Sequence, residues 1–155
     1  MVRMSALRNR PVVCCGRRLG LLQSVSLDSA QKRVCALIVS CGALGKRVVL
    51  PQDALAIADG FILAGCAQRY RRAFETPPCA FARDTTGLLA GRVTDYAIDE
   101  QTLAVMAFEM MTGYLGPSRR ARLWVLDYVR QDARSPELTV PACLGRELIN
   151  VGEGT

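Results

Sequence analysis

Apolar residues in this chain come in short runs of four to eight, separated by glycines, prolines and charged pairs, and one such pattern occurs twice. Residues 20–42 read GLLQSVSLDSAQKRVCALIVSCG and residues 91–113 read GRVTDYAIDEQTLAVMAFEMMTG, displaced by 71 positions without a gap. Gly20 matches Gly91, Asp28 matches Asp99, Val34 matches Val105, Ala36 matches Ala107 and Gly42 matches Gly113. Apolar character also repeats at Leu22/Val93, Val25/Tyr96, Leu27/Ile98, Leu37/Phe108 and Val39/Met110. Each copy predicts a strand, a turn and a second strand. In the first strand the apolar parity switches after a three-residue step, Leu22 to Val25 and Val93 to Tyr96. One extra residue in the strand does this, so a bulge is expected at the same place in both copies. In the second strand, alternation sets Met106, Phe108 and Met110 on one face and Ala107 and Glu109 on the other. Its counterpart, residues 34–41, is apolar on both faces and should be covered on both sides. Asp28 and Asp99 open the turns, where a short carboxylate accepts from backbone N–H groups just ahead.

The rest of the chain falls into place around these hairpins. Residues 1–10 form a basic lead-in, 11–66 copy one, 67–78 a connector, 79–141 copy two and 142–155 a C-terminal tail expected to fray. In copy one, strands are predicted at residues 11–15, 47–51 and 61–64, with 16–20 as a tight connection and 53–59 as a helical turn or irregular segment. Copy two repeats the first strand at 79–82, turns at 84–87, carries inserted residues at 116–120, and has further strands at 122–126 and 138–140. Close spacing of short strands favours barrels over a sandwich. The predicted fold class is all-β, with two tandem small β-barrels from an internal duplication. Units of this size bury limited apolar surface and should lean on each other or on a partner. A strand exchanged between the copies also fits the pattern.

The segments Arg18-Leu19-Gly20 through Asp28 with VCALIVSCG, and Gly91-Arg92-Val93-Thr94-Asp95-Tyr96-Ala97-Ile98-Asp99 with VMAFEMMTG, resemble the PRC-barrel family. The stretch RVVLPQDALAIADGFIL resembles that family's strand, proline, short segment and closing strand. The lead-in MSALRNRPVV is similar to the single-barrel proteins of Gram-positive spore formers, which suggests a bacterial source. Copy one departs from the pattern at Ser24, where copy two has Asp95, and copy two lacks a proline at the place of Pro51. The resemblance implies an adaptor fold. Family members include the cytoplasmic domain of the photosynthetic reaction-centre H subunit and a domain of the ribosome maturation factor that engages a small-subunit protein. Neither supplies a catalytic residue to carry over.

Composition adds little chemistry. There is no histidine, and no phosphate-binding loop, dinucleotide fingerprint or nucleophile elbow occurs. General acid–base work would fall to carboxylates, lysine, cysteine or tyrosine, and a cysteine nucleophile would lack its usual imidazole partner. Asp95 and Asp99 read as solvated turn carboxylates. The expectation is no enzyme, no cofactor and no metal. The seven cysteines are odd in number and include no C-x-x-C pair. Strand alternation would set the adjacent Cys14 and Cys15 on opposite faces, unable to share a metal. The longest charge-free run, residues 34–45, is too short to cross a bilayer, and Arg3, Arg8 and Arg10 interrupt any signal-peptide core, so the expected location is the cytoplasm.

Charge is the informative functional feature. Residues 1–77 hold twelve Lys or Arg against four acids, whereas residues 78–155 hold eight against ten. The cations of copy one cluster in predicted loops and the connector, with Arg17, Arg18, Lys46 and Arg47 expected at one end of the unit and Lys32-Arg33 at the other. Arg17, Arg18, Lys46, Arg47, Arg69, Tyr70, Arg71 and Arg72 are the candidate partner-binding residues. The partner should be anionic: an acidic protein surface first, with RNA or the ribosome, an anionic membrane surface, or self-association as alternatives. Tyr70 among Arg69, Arg71 and Arg72 would be the base-stacking ring in the RNA reading.

Overall fold

The structure is a computed structural model and describes residues 1–112 and 121–142. The predicted insertion at 116–120, most of the predicted tail and Cys143 lie outside the described residues. Thirteen strands are described: β1 (Val2–Arg3), β2 (Pro11–Cys14), β3 (Arg17–Leu27), β4 (Val34–Ser40), β5 (Lys46–Val49), β6 (Ala54–Ala58), β7 (Phe61–Ala64), β8 (Gln68–Arg69), β9 (Phe81–Asp84), β10 (Leu89–Ile98), β11 (Val105–Thr112), β12 (Ala121–Val125) and β13 (Glu137–Val140). One short helix, α1 (Met4–Leu7), and three single 3-10 turns complete the described residues. The class is all-β. No helix among them is long and apolar enough to cross a membrane.

The strands form two sheets. The first runs β6-β7-β2-β3-β4-β5-β8, and the second runs β12-β11-β10-β9-β13 with β1 added on β10. In each, a short strand, two long strands and an outer strand form an antiparallel meander. A later strand then returns parallel to the first, β7 to β2 and β13 to β9.

The hairpins predicted from the repeated segment are β3–β4 and β10–β11, and their registers agree pair for pair at the 71-residue offset. Leu22 faces Val39 as Val93 faces Met110; Val25 faces Leu37 as Tyr96 faces Phe108; Leu27 faces Val34 as Ile98 faces Val105. The expected bulge is present in both, between Leu22 and Ser24 and between Val93 and Asp95. Two shared glycines have a steric reason. A Cβ on Gly20 would sit 2.1 Å from the Ser40 carbonyl oxygen, and one on Gly91 would sit 2.6 Å from that of Met111. Ser40 and Met111 are themselves 71 residues apart.

Several expectations are corrected. The connection between β2 and β3 is not residues 16–20 but the two-residue turn Cys15-Gly16, both at positive φ (53° and 72°), and Arg17 already pairs with Cys14. That is the left-handed turn that matches the twist of a hairpin. Within residues 53–59 only Asp53 is helical, as the last residue of the 3-10 turn Pro51–Asp53. Ala54–Ala58 is an edge strand hairpinned to β7 through Asp59-Gly60, with Gly60 at φ 91°. Met106 does not join Phe108 and Met110 in the core but is 48% exposed. The lead-in is structured as well: β1 pairs with β10, joining Val2 to Ile98, and Leu7 is fully buried.

Among the described residues the expected closed barrels are not found. In the first sheet the connector adds β8 to β5, occupying the edge that closure would use. In the second, Val129 bonds the outer side of β13 through reciprocal hydrogen bonds with Thr139.

A single hydrophobic cluster spans both sheets, taking in Leu22, Leu37, Val39 and Ile62 from one and Tyr96, Phe108, Met110 and Leu138 from the other. The hairpin turns meet about an approximate two-fold axis. Val34 N–H donates to Leu103 O (2.9 Å), Val105 N–H donates to Lys32 O (2.8 Å), and Arg33 bridges Ala104. These donors, acceptors and bridged residues are each related by the same 71-residue step. Gln31 is buried beside this axis, accepting from the Tyr96 hydroxyl (2.9 Å) at Oε1 and from the Tyr128 hydroxyl (2.6 Å) at its carbonyl.

Candidate partner-binding surface

The outer face of β4 explains where the basic connector lies. Ala36, Ile38 and Val48 form a second, smaller apolar cluster on the side away from the main core, and Leu50, Tyr70 and Phe74 cover it. This is the covering that the two-sided apolarity of residues 34–41 requires. Thr76 ties the connector down, its hydroxyl donating to Leu27 O (2.7 Å) and its N–H to the Ser26 hydroxyl (3.3 Å).

The second sheet makes the equivalent contact with different chemistry. Phe74 and Ile38 become, at the 71-residue step, Arg3 and Glu109. Arg3 reaches Glu109 at 3.5 Å and lies over the Trp124 ring at 5.1 Å, while the Thr94 hydroxyl donates to Glu109 at 2.8 Å. Glu109 is buried but paired and hydrogen-bonded, which is the condition for burying a charge. Each sheet is thus covered by the segment that precedes a first strand: the connector on sheet one, the lead-in on sheet two.

The candidate residues divide into two groups. Lys46 and Tyr70 are committed to structure. Lys46 Nζ lies 3.5 Å from Glu75 and 4.9 Å from the centre of the Tyr70 ring, and the Tyr70 hydroxyl donates to Glu75. The Tyr70 hydrogen bond, followed by the Lys46 charge, holds the Glu75 carboxyl below its ordinary pKa, and the same bond raises that of Tyr70. Tyr70 is half-buried against the Ile38 cluster, with one side of its ring taken by Lys46. It is not the open stacking platform that the RNA reading needs.

Arg17, Arg18, Arg47, Arg69, Arg71 and Arg72 are all exposed and form no ion pair or side-chain hydrogen bond among the described residues. Arg47 and Arg69 sit directly opposite each other on β5 and β8. Like charges directly opposite repel and weaken the pairing of β5 with β8. Antiparallel pairing puts Arg17-Arg18 and the β4–β5 turn at the same end of the sheet, as expected, with Lys32-Arg33 at the other end, beside the two-fold axis.

Arg72 also lines a cleft of about 710 Å³ between the sheets, together with Arg8, Ser24, Thr76, Thr94 and Asp95. The sequence did not single out Arg8 or Glu75, since an isolated arginine or glutamate in a loop carries no periodic signal. Asp95 is a correction. Instead of being a solvated turn carboxylate it is buried, accepting from the Ser5 N–H (3.0 Å), the Ser5 hydroxyl and the Tyr96 N–H (2.8 Å). It anchors the lead-in to sheet two. Asp99 does behave as a turn former, accepting from the N–H groups of Gln101 and Thr102. Asp28 does so over a longer reach, to Lys32 and Arg33. Among the described residues no three His, Cys, Asp or Glu side chains converge as a metal site would require.

Compared with protein-family models and with curated proteins, the chain matches none.

Proposed function

We propose that this chain is a tandem PRC-barrel-like protein, derived by internal duplication, that works without catalysis as a cytoplasmic bacterial adaptor gripping an acidic protein surface. The pair-for-pair register of the two sheets at one fixed sequence offset supports the duplication. The observation that carries the functional reading is the set of exposed arginines on sheet one and the connector, Arg17, Arg18, Arg47, Arg69, Arg71 and Arg72, none of which forms an ion pair among the described residues. The neighbouring aromatic, by contrast, is locked in place. Arginine binds carboxylates through two parallel N–H donors, so a rigid strand bearing several of them suits an acidic protein face.

RNA or the ribosome is the second reading, favoured by the basic balance of the N-terminal half and weakened by the engagement of Tyr70. The test compares binding of poly-glutamate and of single-stranded poly-uridylate by fluorescence anisotropy at two salt concentrations, alongside a pull-down with and without nuclease. The adaptor reading expects poly-glutamate binding that falls on changing Arg69, Arg71 and Arg72 to Ala, and a protein partner that survives nuclease. Tight poly-uridylate binding, steeply salt-dependent and lost in the same triple variant, overturns it.

A further inference from the structure

The turn between β2 and β3 places two thiols in contact. Strand alternation would separate Cys14 and Cys15, but β2 ends at Cys14 and Cys15 adopts φ 53°. This left-handed step swings the second side chain round, leaving the sulfurs 3.8 Å apart. Both thiols are free, Cys15 exposed and Cys14 partly so.

We propose that Cys14 and Cys15 form a vicinal dithiol site that chelates a soft, thiophilic cation or trivalent metalloid. Two sulfurs about 2.3 Å from one centre lie roughly 3.3–3.8 Å apart for angles between a right angle and a tetrahedral one, so the pair reaches chelating separation with a shift of at most about half an ångström. A disulfide, with its bond of about 2.05 Å, would need the sulfurs to close by roughly 1.7 Å. Soft sulfur donors select soft acceptors over magnesium- or calcium-like ions. No third His, Cys, Asp or Glu converges with them among the described residues, which disfavours tetrahedral zinc and leaves acceptors content with two thiols. Cys15 Sγ also lies 3.8 Å from Gly65 O, next to the exposed Cys66. The pair is not a requirement of the fold. The equivalent turn of sheet two has Asp84 and Thr85 there, with Asp84 accepting from the N–H groups of Thr86 and Leu88. Burial and the neighbouring Cys15 thiol raise the Cys14 pKa.

A monosubstituted arsenoxide suits two thiols in contact. Two As–S bonds form, the oxide oxygen leaves as water with the two thiol protons, and arsenic stays trivalent.

The probe is phenylarsine oxide, titrated against the reduced full chain and followed by mass spectrometry and loss of titratable thiols. One equivalent should bind with loss of two thiols, released by dithiothreitol at concentrations where a monothiol leaves it bound. Cys14→Ser and Cys15→Ser should each weaken capture about 100-fold or more, the advantage of a second tethered ligand, and Cys35→Ser should leave it unchanged. Because Cys15 is exposed, Cys15→Ser isolates the thiol from folding, and an unchanged melting curve confirms that. Absence of capture, capture surviving either substitution, or capture that needs Cys66 and not Cys14 overturns the proposal.

Discussion

Phe108→Ala is the sharpest probe of the shared core. The side chain is fully buried at the centre of β11, with the Tyr128 ring meeting it edge-on at 5.0 Å and the Tyr96 ring at 6.4 Å. Truncating a buried phenylalanine costs about 3–5 kcal/mol in lost transfer energy and cavity formation. The upper half of that range applies here, because an edge-to-face pair adds about 0.5–1.5 kcal/mol beyond burial. The same Tyr128 hydroxyl also holds the Gln31 carbonyl of sheet one, so a loosened ring weakens the junction between sheets. Leu37→Ala at the matching position loses no aromatic pair and should cost less, about 2–5 kcal/mol with the lower half expected. For a chain of this size 1 kcal/mol corresponds to roughly 2–4 °C, so Phe108→Ala should lower the melting temperature by roughly 8–20 °C. Urea unfolding can be read by the lone tryptophan, Trp124 on β12, and by far-UV circular dichroism over both sheets. A single core requires the two transitions to coincide and move together. A loss below about 1 kcal/mol, or a Trp124 transition that moves while part of the dichroism does not, would refute the shared core.

Gly20→Ala and Gly91→Ala drive a methyl into a neighbouring strand and should each cost at least about 1–3 kcal/mol, whereas Gly65→Ala, with only Leu55 side-chain atoms at 3.5 Å or beyond, should stay within about 0.5 kcal/mol; thermal melts of the three decide. Asp95→Ala strips the Ser5 N–H and hydroxyl of their acceptor and should cost about 1–3 kcal/mol, with limited proteolysis showing faster cleavage in residues 1–10; unchanged cleavage would mean that the lead-in is held by β1 alone. Stability should fall at both ends of the pH range. Asp84, Asp99 and Glu75 have folded-state pKa values below their ordinary ones, so the unfolded chain binds more protons and stability is lost as pH drops below the ordinary carboxylate range and through the lower folded values. Burial raises Tyr96 and Tyr128, whose contribution is complete below the unfolded value of about 10 and is lost as pH rises above it. Urea midpoints measured between pH 3 and pH 11 should trace both arms; a midpoint flat above pH 10 would count against buried phenols.

The sequence by itself determined the two hairpins, their shared bulge and the inward face carrying Leu37, Val39, Phe108 and Met110. Side-chain alternation has a period of two, so a single slip in parity is visible as letters. It also showed that residues 34–41 needed cover on both faces, without saying what covers them. The Asp59-Gly60 turn that joins β6 to β7, with Gly60 at φ 91°, lies where a helical turn or irregular segment was expected over residues 53–59, so the strand before it was missed. Only the tertiary structure decided the rest, because it depends on residues far apart in the chain. It sends the lead-in to sheet two and the connector to sheet one, and it changes Asp95 from a turn former to an anchor for Ser5. It engages Tyr70 with Glu75 and Lys46 while leaving Arg47 and Arg69 facing each other unpaired. It also brings Cys14 and Cys15 together, because the Cys15-Gly16 turn has positive φ at both central positions, as a type I′ hairpin requires, and that backbone requirement overrides alternation.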